Sequence, residues 1–207
     1  MSEEKGLSTE ELILKAAEKE FLQKGFAGAR TTAIAEAAGV THAMLHYYFR
    51  TKDKLFEKIL NAKITLIRDI MLGSIGDVKK PLFEKIRDTV EQHLDFIAAN
   101  PDLPRFMVNE VFYHPERIDY ILSVMKTHAP LVVANLQREI DDMARRGECR
   151  LVNAAMLLLD IVSLNLFSFL AAPMVDVMIG DLRADPKAFL EARKKENVET
   201  ILRKLKP

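Results

Sequence analysis

The residues best placed to do chemistry lie between Thr31 and Arg50, in the run TTAIAEAAGVTHAMLHYYFR. Their chemistry is the holding of anions rather than the making of bonds. Ile34, Ala35 and Ala38 fall on one face at helical spacing. Gly39 stops that helix, because glycine alone enters the left-handed conformation cheaply. Val40 fills the corner, and the Thr41 hydroxyl suits the cap of a second helix running through Met44 and Leu45 towards Tyr48. Two helices this short cannot bury themselves, so they need a third behind them, and the upstream sequence supplies one. This is the pattern of a helix-turn-helix, whose second helix enters the major groove of DNA. The formal net charge of the 207 residues is zero, so any electrostatic footprint is local. From Phe21 to Lys54 it is positive: Lys24, Arg30, Arg50, Lys52 and Lys54 against Glu36 and Asp53, five minus two, or plus three. A patch of that size can contact phosphates.

Catalytic patterns are missing from the sequence. There is no glycine-rich phosphate loop and no serine in a nucleophile elbow. Cys149, the single cysteine, follows Gly147-Glu148 with no evident histidine partner. It excludes an intrachain disulfide framework and a cysteine-only zinc site, and fits a reducing, cytoplasmic compartment. His93, His114 and His128 lack the close paired spacing of metal ligands. We therefore expect no enzyme, no cofactor and no metal. A dimeric scaffold that uses the fold without DNA is the competing class, and salt-dependent DNA binding separates the two.

The elements that position these residues are helical throughout. Ser8 or Thr9 begins the first helix, with Glu11 completing a capping box. Leu12, Ile13, Ala16, Ala17 and Phe21 follow at three- and four-residue spacing up to Gly25. A fourth helix opens at Lys52-Asp53-Lys54 and runs to Gly73, so no flexible linker separates the helix-turn-helix from the rest of the chain. Leu82 to Ala99, Leu103 to Phe112, Glu116 to Thr127 and Leu131 to Arg146 continue the helical pattern, and Pro130 kinks or starts a helix. Asn153 suits the cap of the apolar run Ala154 to Ala172, and Asp185-Pro186 opens a last helix ending near Leu205. Asp160, Ser163, Asn165 and Ser168 interrupt the apolar run, which argues for a buried helix over a membrane span. Such a helix is expected to face its own copy in a second subunit. Phe189, Leu190, Val198, Ile201, Leu202 and Leu205 on the last helix are expected to complete a four-helix interface. The fold class is all-α.

The segment AAEKEFLQKGFAGARTTAIAEAAGVTHAMLHYYFRTKDKLFEKIL resembles the N-terminal domain of TetR-family transcriptional repressors. Phe21, Gly25, Thr31, Thr32, Ile34, Ala35, Ala38, Gly39, Val40, Leu45, Tyr48, Phe49, Lys52 and Leu55 carry the likeness, over roughly the first sixty residues. It implies a helix-turn-helix DNA-binding domain over 1–52 and a helical-bundle domain for effector binding and dimerisation over 53–207. It implies a repressor that binds a near-palindromic operator as a homodimer, through the last two long helices, and is released by a small, largely apolar effector. No membrane partner is expected. By the same resemblance Thr31 contacts a phosphate, Thr41, His42 and Ala43 open the recognition helix, and Tyr47 faces the groove. Lys52 anchors a phosphate at the start of helix four, with Arg30 and His46 as further contacts and Tyr48 and Phe49 as packing residues. His42 stands where the family often has lysine, and His46 where it commonly has tyrosine.

The effector pocket is less defined. Phe96, Phe106, Met107, Phe112, Tyr113, Tyr120, Met125, His128, Leu164 and Phe167 are large side chains on helices expected to surround a cavity. Methionine and aromatic linings suit an apolar or mixed ligand. At this spacing each is also an ordinary core residue.

Overall fold

Local signals in the sequence become helix ends in the structure. A computed structural model of the chain describes residues 6–126, 128–180 and 184–207, with Met71, Tyr120, Val124 and Ile179 described by backbone alone. Helix α1 spans Thr9–Gly28. The Ser8 hydroxyl accepts from the Glu11 amide at 3.3 Å, and the Glu11 carboxylate accepts from the Ser8 amide at 2.7 Å. Both orphan donors of the first turn are thereby satisfied. Gly25, at φ 68° and ψ 177°, breaks the helix path before its last residues. Helices α2 (Thr31–Ala37) and α3 (His42–Phe49) follow, and the Thr41 hydroxyl accepts from the Met44 amide at 3.2 Å as the cap of α3.

Helix α4 runs over Lys52–Gly73 and α5 over Leu82–Ala99. Helix α6, Leu103–Met107, passes into a single π-helical turn, Val108–Phe112. Then come α7 (Pro115–Lys126), α8 (Ala129–Arg145), α9 (Ala154–Leu170), α10 (Ala172–Ile179) and α11 (Pro186–Leu205). No strand occurs among the described residues. The all-α class is therefore as the periodicity requires. Asn153 caps α9 by accepting from the Met156 amide, and Asp185 caps α11 by accepting from the amides of Lys187 and Ala188.

The chain forms two compact units. The first comprises Met1–Leu66 and Arg105–Ile118, the second Ile67–Pro104 and Asp119–Pro207. Helix α4 thus contributes residues to both. In the first unit Ile13, Ala17, Phe21, Ile34, Leu45, Leu55 and Phe56 are buried, with Phe21 and Phe56 in edge-on contact at 5.0 Å. Each of the Ile, Leu and Phe side chains contributes about 1.5–3 kcal/mol of burial, which lets three short helices hold together.

The second unit is built on α5, α8, α9 and α11. Leu82, Ile86 and Val90 meet Leu136 and Ile140, Leu157 and Ile161, and Val198, Ile201, Leu202 and Leu205. This corrects the expectation for the last helix: those four residues of α11 are buried within the chain itself. The run expected to be continuous from Ala154 to Ala172 also breaks at Ala171 and resumes as α10, which lies at 83° to α9. Pro173 fits this break, because proline is accommodated in the first turn of α10. No single helix among the described residues is long and apolar enough to cross a membrane.

A polar chain crosses this apolar core. The Asn165 amide nitrogen donates to the Val90 carbonyl at 2.9 Å and stands 3.1 Å from His93 Nδ1. Asn165 Oδ1 accepts from Asn197 Nδ2 at 2.8 Å. The second amide proton of Asn165 therefore points at His93 Nδ1, which must accept, so the imidazole is neutral with its proton on Nε2. Burial pushes the His93 pKa down to about 4. Nearby, the buried Lys85 ammonium is held by Glu139 at 2.6 Å.

Candidate nucleic-acid interface

The turn between α2 and α3 brings the first polar side chains together. Thr31 Oγ1 at the start of α2 and His42 Nε2 at the start of α3 are 3.0 Å apart. Two helix N-termini, each with unsatisfied amides, therefore share one corner of the surface. Thr31 is half-buried, whereas Thr41, His42 and Ala43 are exposed. His46 lies one turn beyond His42 on α3, and the two rings make an edge contact at 4.4 Å. Their four-residue spacing in the sequence places them on one face of the helix. The His46 Nδ1 lies 2.9 Å from the Arg50 carbonyl, which can only accept. Nδ1 therefore carries the proton, and Nε2 is left for an external partner.

Tyr47 is 81% exposed, the largest exposure of any aromatic side chain in this unit. No core contact explains a ring held so far out of the protein on a helix whose other face, Leu45 and Phe49, is buried. Tyr48 departs from the packing role expected of it: it is exposed and stacks edge-on against Tyr47 at 5.5 Å. Phe49 is buried as expected.

Arg50 connects α3 to α4 at a positive φ of 53° and ψ of −49°. The Thr51 amide donates back to the Phe49 carbonyl across it. That geometry is a γ-turn of the rare, positive-φ kind, which strains any residue with a Cβ. We expect Arg50→Gly to raise stability by about 1 kcal/mol in chemical denaturation. An unchanged or lowered midpoint would mean that the turn carries no strain. The turn sets how α3 leads into Lys52, whose ammonium sits over the Phe26 ring, 4.7 Å from its centroid. Arg30 is exposed as the residue before α2, and its amide donates to Glu20 at 3.3 Å.

A second cluster holds this unit from behind. The Glu110 carboxylate, on the π-helical turn, accepts from the Phe26 amide at 2.9 Å. Its other oxygen pairs with Arg117 at 2.9 Å, and Arg117 also donates to the Glu110 carbonyl at 2.6 Å. The Arg117 guanidinium lies over the Phe56 and Phe26 rings, at 4.6 and 5.5 Å from their centroids. Phe26 is thus flanked by two cations, Lys52 and Arg117. Gly25 is needed here twice over. Its φ is 68°, and a Cβ built on it would overlap the Glu110 carboxylate oxygen. Sequence reasoning saw Gly25 as a helix stop and did not find Glu110 or Arg117, because nothing local to residues 105–118 announces a partner at residue 26.

The candidate pocket residues fall in both units. Phe106 is buried with its ring 5.9 Å from Phe56, in the first unit. Met107 is half-buried there, and Phe112 and Tyr113 are exposed. In the second unit Phe96, Met125 and Leu164 are half-buried, while His128 and Phe167 are exposed. The side chain of Tyr120 lies outside the described residues. Phe167 lines a cavity between α9, α10 and α11.

Comparison with known proteins sets this geometry in context. Residues 13–59 match the family described as bacterial regulatory proteins, tetR family. Over 102 residues the chain is 44% identical to the HTH-type transcriptional repressor NicS of Pseudomonas putida, covering 49% of this chain and 48% of NicS. The chain thus spans about half the length of that curated relative. The putative transcriptional regulator SCO4942 of Streptomyces coelicolor superposes with a TM-score of 0.67 at 20% identity, over 97% of this chain and 100% of that one. The transcriptional regulator FadR of Bacillus subtilis, solved in complex with stearoyl-CoA, superposes with a TM-score of 0.64 at 18% identity, over 94% and 98%. At these identities the two structures speak to the fold.

Proposed function

We propose that this chain, a helix-turn-helix transcriptional regulator of the tetR family, represses transcription by binding a near-palindromic operator as a homodimer and is released by a small, largely apolar effector. The family and the relatives are transcriptional regulators rather than enzymes. The observation that carries the proposal is the outward face of α3. Thr41, His42, Ala43, His46 and Tyr47 are all exposed on it, beside Arg30, Thr31 and Lys52. A helix that presents hydroxyls, imidazoles and a projecting tyrosine, with cations around it, suits base edges inside and phosphates at the rim.

Dimerisation is supported by what remains uncovered in the second unit. Met156, Leu159 and Phe167 on α9 are each more than half exposed, at helical spacing, and Met174 and Val177 on α10 continue the apolar surface. A second copy is the simplest cover for such a face. Two α3 helices in the dimer would enter successive major grooves about 34 Å apart. Release by an effector requires that the two states differ in their affinity for it. Helix α4, with residues in both units, is the connection through which such a bias would act. That NicS is a repressor and that FadR was solved with stearoyl-CoA favour repression and an apolar effector class.

Tyr47→Ala combined with Lys52→Ala is expected to weaken binding to the chain's own operator at least tenfold in a gel-shift assay, with the fold intact. Loss of the Lys52 charge should also reduce the salt dependence by close to one counterion. Undiminished binding by the double variant would remove this face from the mechanism.

A further inference from the structure

His46 on α3 supplies the starting observation. Its Nδ1 lies 2.9 Å from the Arg50 carbonyl, and the Arg50 amide donates to the His46 carbonyl at 2.9 Å. A carbonyl only accepts, so Nδ1 holds the ring proton of the neutral imidazole and Nε2 carries a lone pair. Neutral His46 therefore offers an outside partner an acceptor and no donor. The residue is exposed, so such a partner can reach it.

Helix periodicity selects the partner. Leu45 and Phe49 are buried and set the inward direction of α3. At about 100° per residue, Ala43 and Tyr47 point most nearly away from them. His42 and His46 share one flank, and Met44 and Tyr48 the other. The histidine flank lies beside the start of α2, because Thr31 Oγ1 is 3.0 Å from His42 Nε2. In a helix docked in the major groove, the outward middle meets base edges and the flanks lie beside the sugar-phosphate strands. A phosphodiester has acceptor oxygens and no donor. It repels the lone pair of neutral His46, and bonds to the ring only when Nε2 is protonated.

We infer that His46 grips a DNA phosphate as an imidazolium, so that DNA binding takes up a proton and strengthens as pH falls. This deepens the DNA-binding reading of α3 and rests on it. The complex holds more protons than the free partners, and that fixes the sign of the pH dependence. The bond formed is charge-assisted, the stronger kind. The ionisable groups around His46 are His42, Tyr47 and Tyr48 on α3, Glu36 on α2 with Arg30 before it, and Arg50 and Lys52 on the way into α4. Histidine is the side chain whose charge changes near neutrality, so a His42 variant is the control. Buried His93, with a pKa of about 4, keeps its charge throughout a test between pH 6 and pH 8.

The test uses fluorescence anisotropy with a labelled mixed-sequence duplex of about thirty base pairs, at about 50 mM salt, because a phosphate contact is independent of sequence. From pH 8 to pH 6 the affinity of the parent should rise at least about fivefold, and calorimetry in two buffers of different ionisation heat should show proton uptake at pH 7. His46→Gln supplies an amide donor that needs no added proton, so the pH profile should flatten and the uptake should vanish. His46→Tyr supplies a hydroxyl donor, and should bind at pH 8 at least as tightly as the parent. His46→Ala should lower the salt dependence at pH 6 by about one counterion per protomer. His42→Gln should keep the pH dependence. Equal proton uptake in the parent and His46→Gln, or a dependence lost in His42→Gln and kept in His46→Gln, would overturn the inference. Binding by the parent without proton uptake would overturn it and leave the DNA-binding reading standing. No binding of the duplex at either pH would overturn both.

Discussion

Gly25→Ala lowers the stability of the chain by about 3 kcal/mol, and part of that loss runs through a carboxylate far along the sequence. Two causes add. At φ 68° and ψ 177° an alanine sits in a region that essentially only glycine occupies, at a cost of about 2 kcal/mol. The new methyl also overlaps the Glu110 carboxylate oxygen. The Glu110 side chain can swing away, but it then abandons the partly buried Phe26 amide and its pairing with Arg117. An amide left without its acceptor costs about 1–3 kcal/mol. Urea denaturation of Gly25→Ala, Glu110→Ala and the double variant separates the causes. In the Glu110→Ala background only the backbone strain remains, so the second step should cost about 2 kcal/mol, and the pair should show coupling of about 1 kcal/mol or more. Strict additivity, or a single variant within about 0.5 kcal/mol of the parent, would show that the bond does not hold the end of α1. Because Glu110 and Phe26 lie in the same unit as α3, the same variants should, on the proposed function, alter DNA affinity without touching any residue on the outward face of α3.

Acid weakens the fold by about 3 kcal/mol between pH 7 and pH 4 through a single imidazole. His93 titrates near 6.5 in an unfolded chain and near 4 in the folded one, because burial disfavours its charged form. Below pH 6.5 the unfolded state binds a proton that the native state refuses. Stability is therefore complete above pH 6.5, and falls as pH drops from there towards 4. The difference of about two and a half pH units corresponds to about 3 kcal/mol. The cause is more than apolar surroundings. Asn165 already donates to His93 Nδ1 and to the Val90 carbonyl, so a proton on Nδ1 would face an amide donor with nowhere to turn. His93→Gln keeps an acceptor for Asn165 but cannot titrate in this range. The gap between the two proteins in urea midpoint should narrow or reverse steadily as pH falls from 7 to 4. Parallel profiles would mean that the imidazole is open to water in the native state.

Much of the outward site was legible because helix ends are local chemistry. Ser8 and Glu11, Thr41 and Met44, and Asn153 and Met156 lie three residues apart, so their bonds follow once a helix is assumed. The side of α3 that faces away from Leu45 and Phe49 could be read from periodicity alone. Tyr48 was misjudged because aromatic residues near a helix end are usually anchors, whereas here Phe49 alone fills the space beneath. The pocket residues had the least local signal behind them. Large apolar side chains at helical spacing say that a face is buried, and nothing about whether its neighbour is protein or ligand.

By itself, then, the sequence determined the helices, their caps, the turn before α3 and the local excess of positive charge, because each depends on residues within about one helical turn. Only the tertiary structure decided that Glu110 closes on Phe26, that Asn165 bridges His93 and Asn197, and that Val198, Ile201, Leu202 and Leu205 of α11 are buried within the chain itself. Those pairings join residues tens of positions apart. A side chain carries no mark of a distant partner until packing brings the two within hydrogen-bond reach.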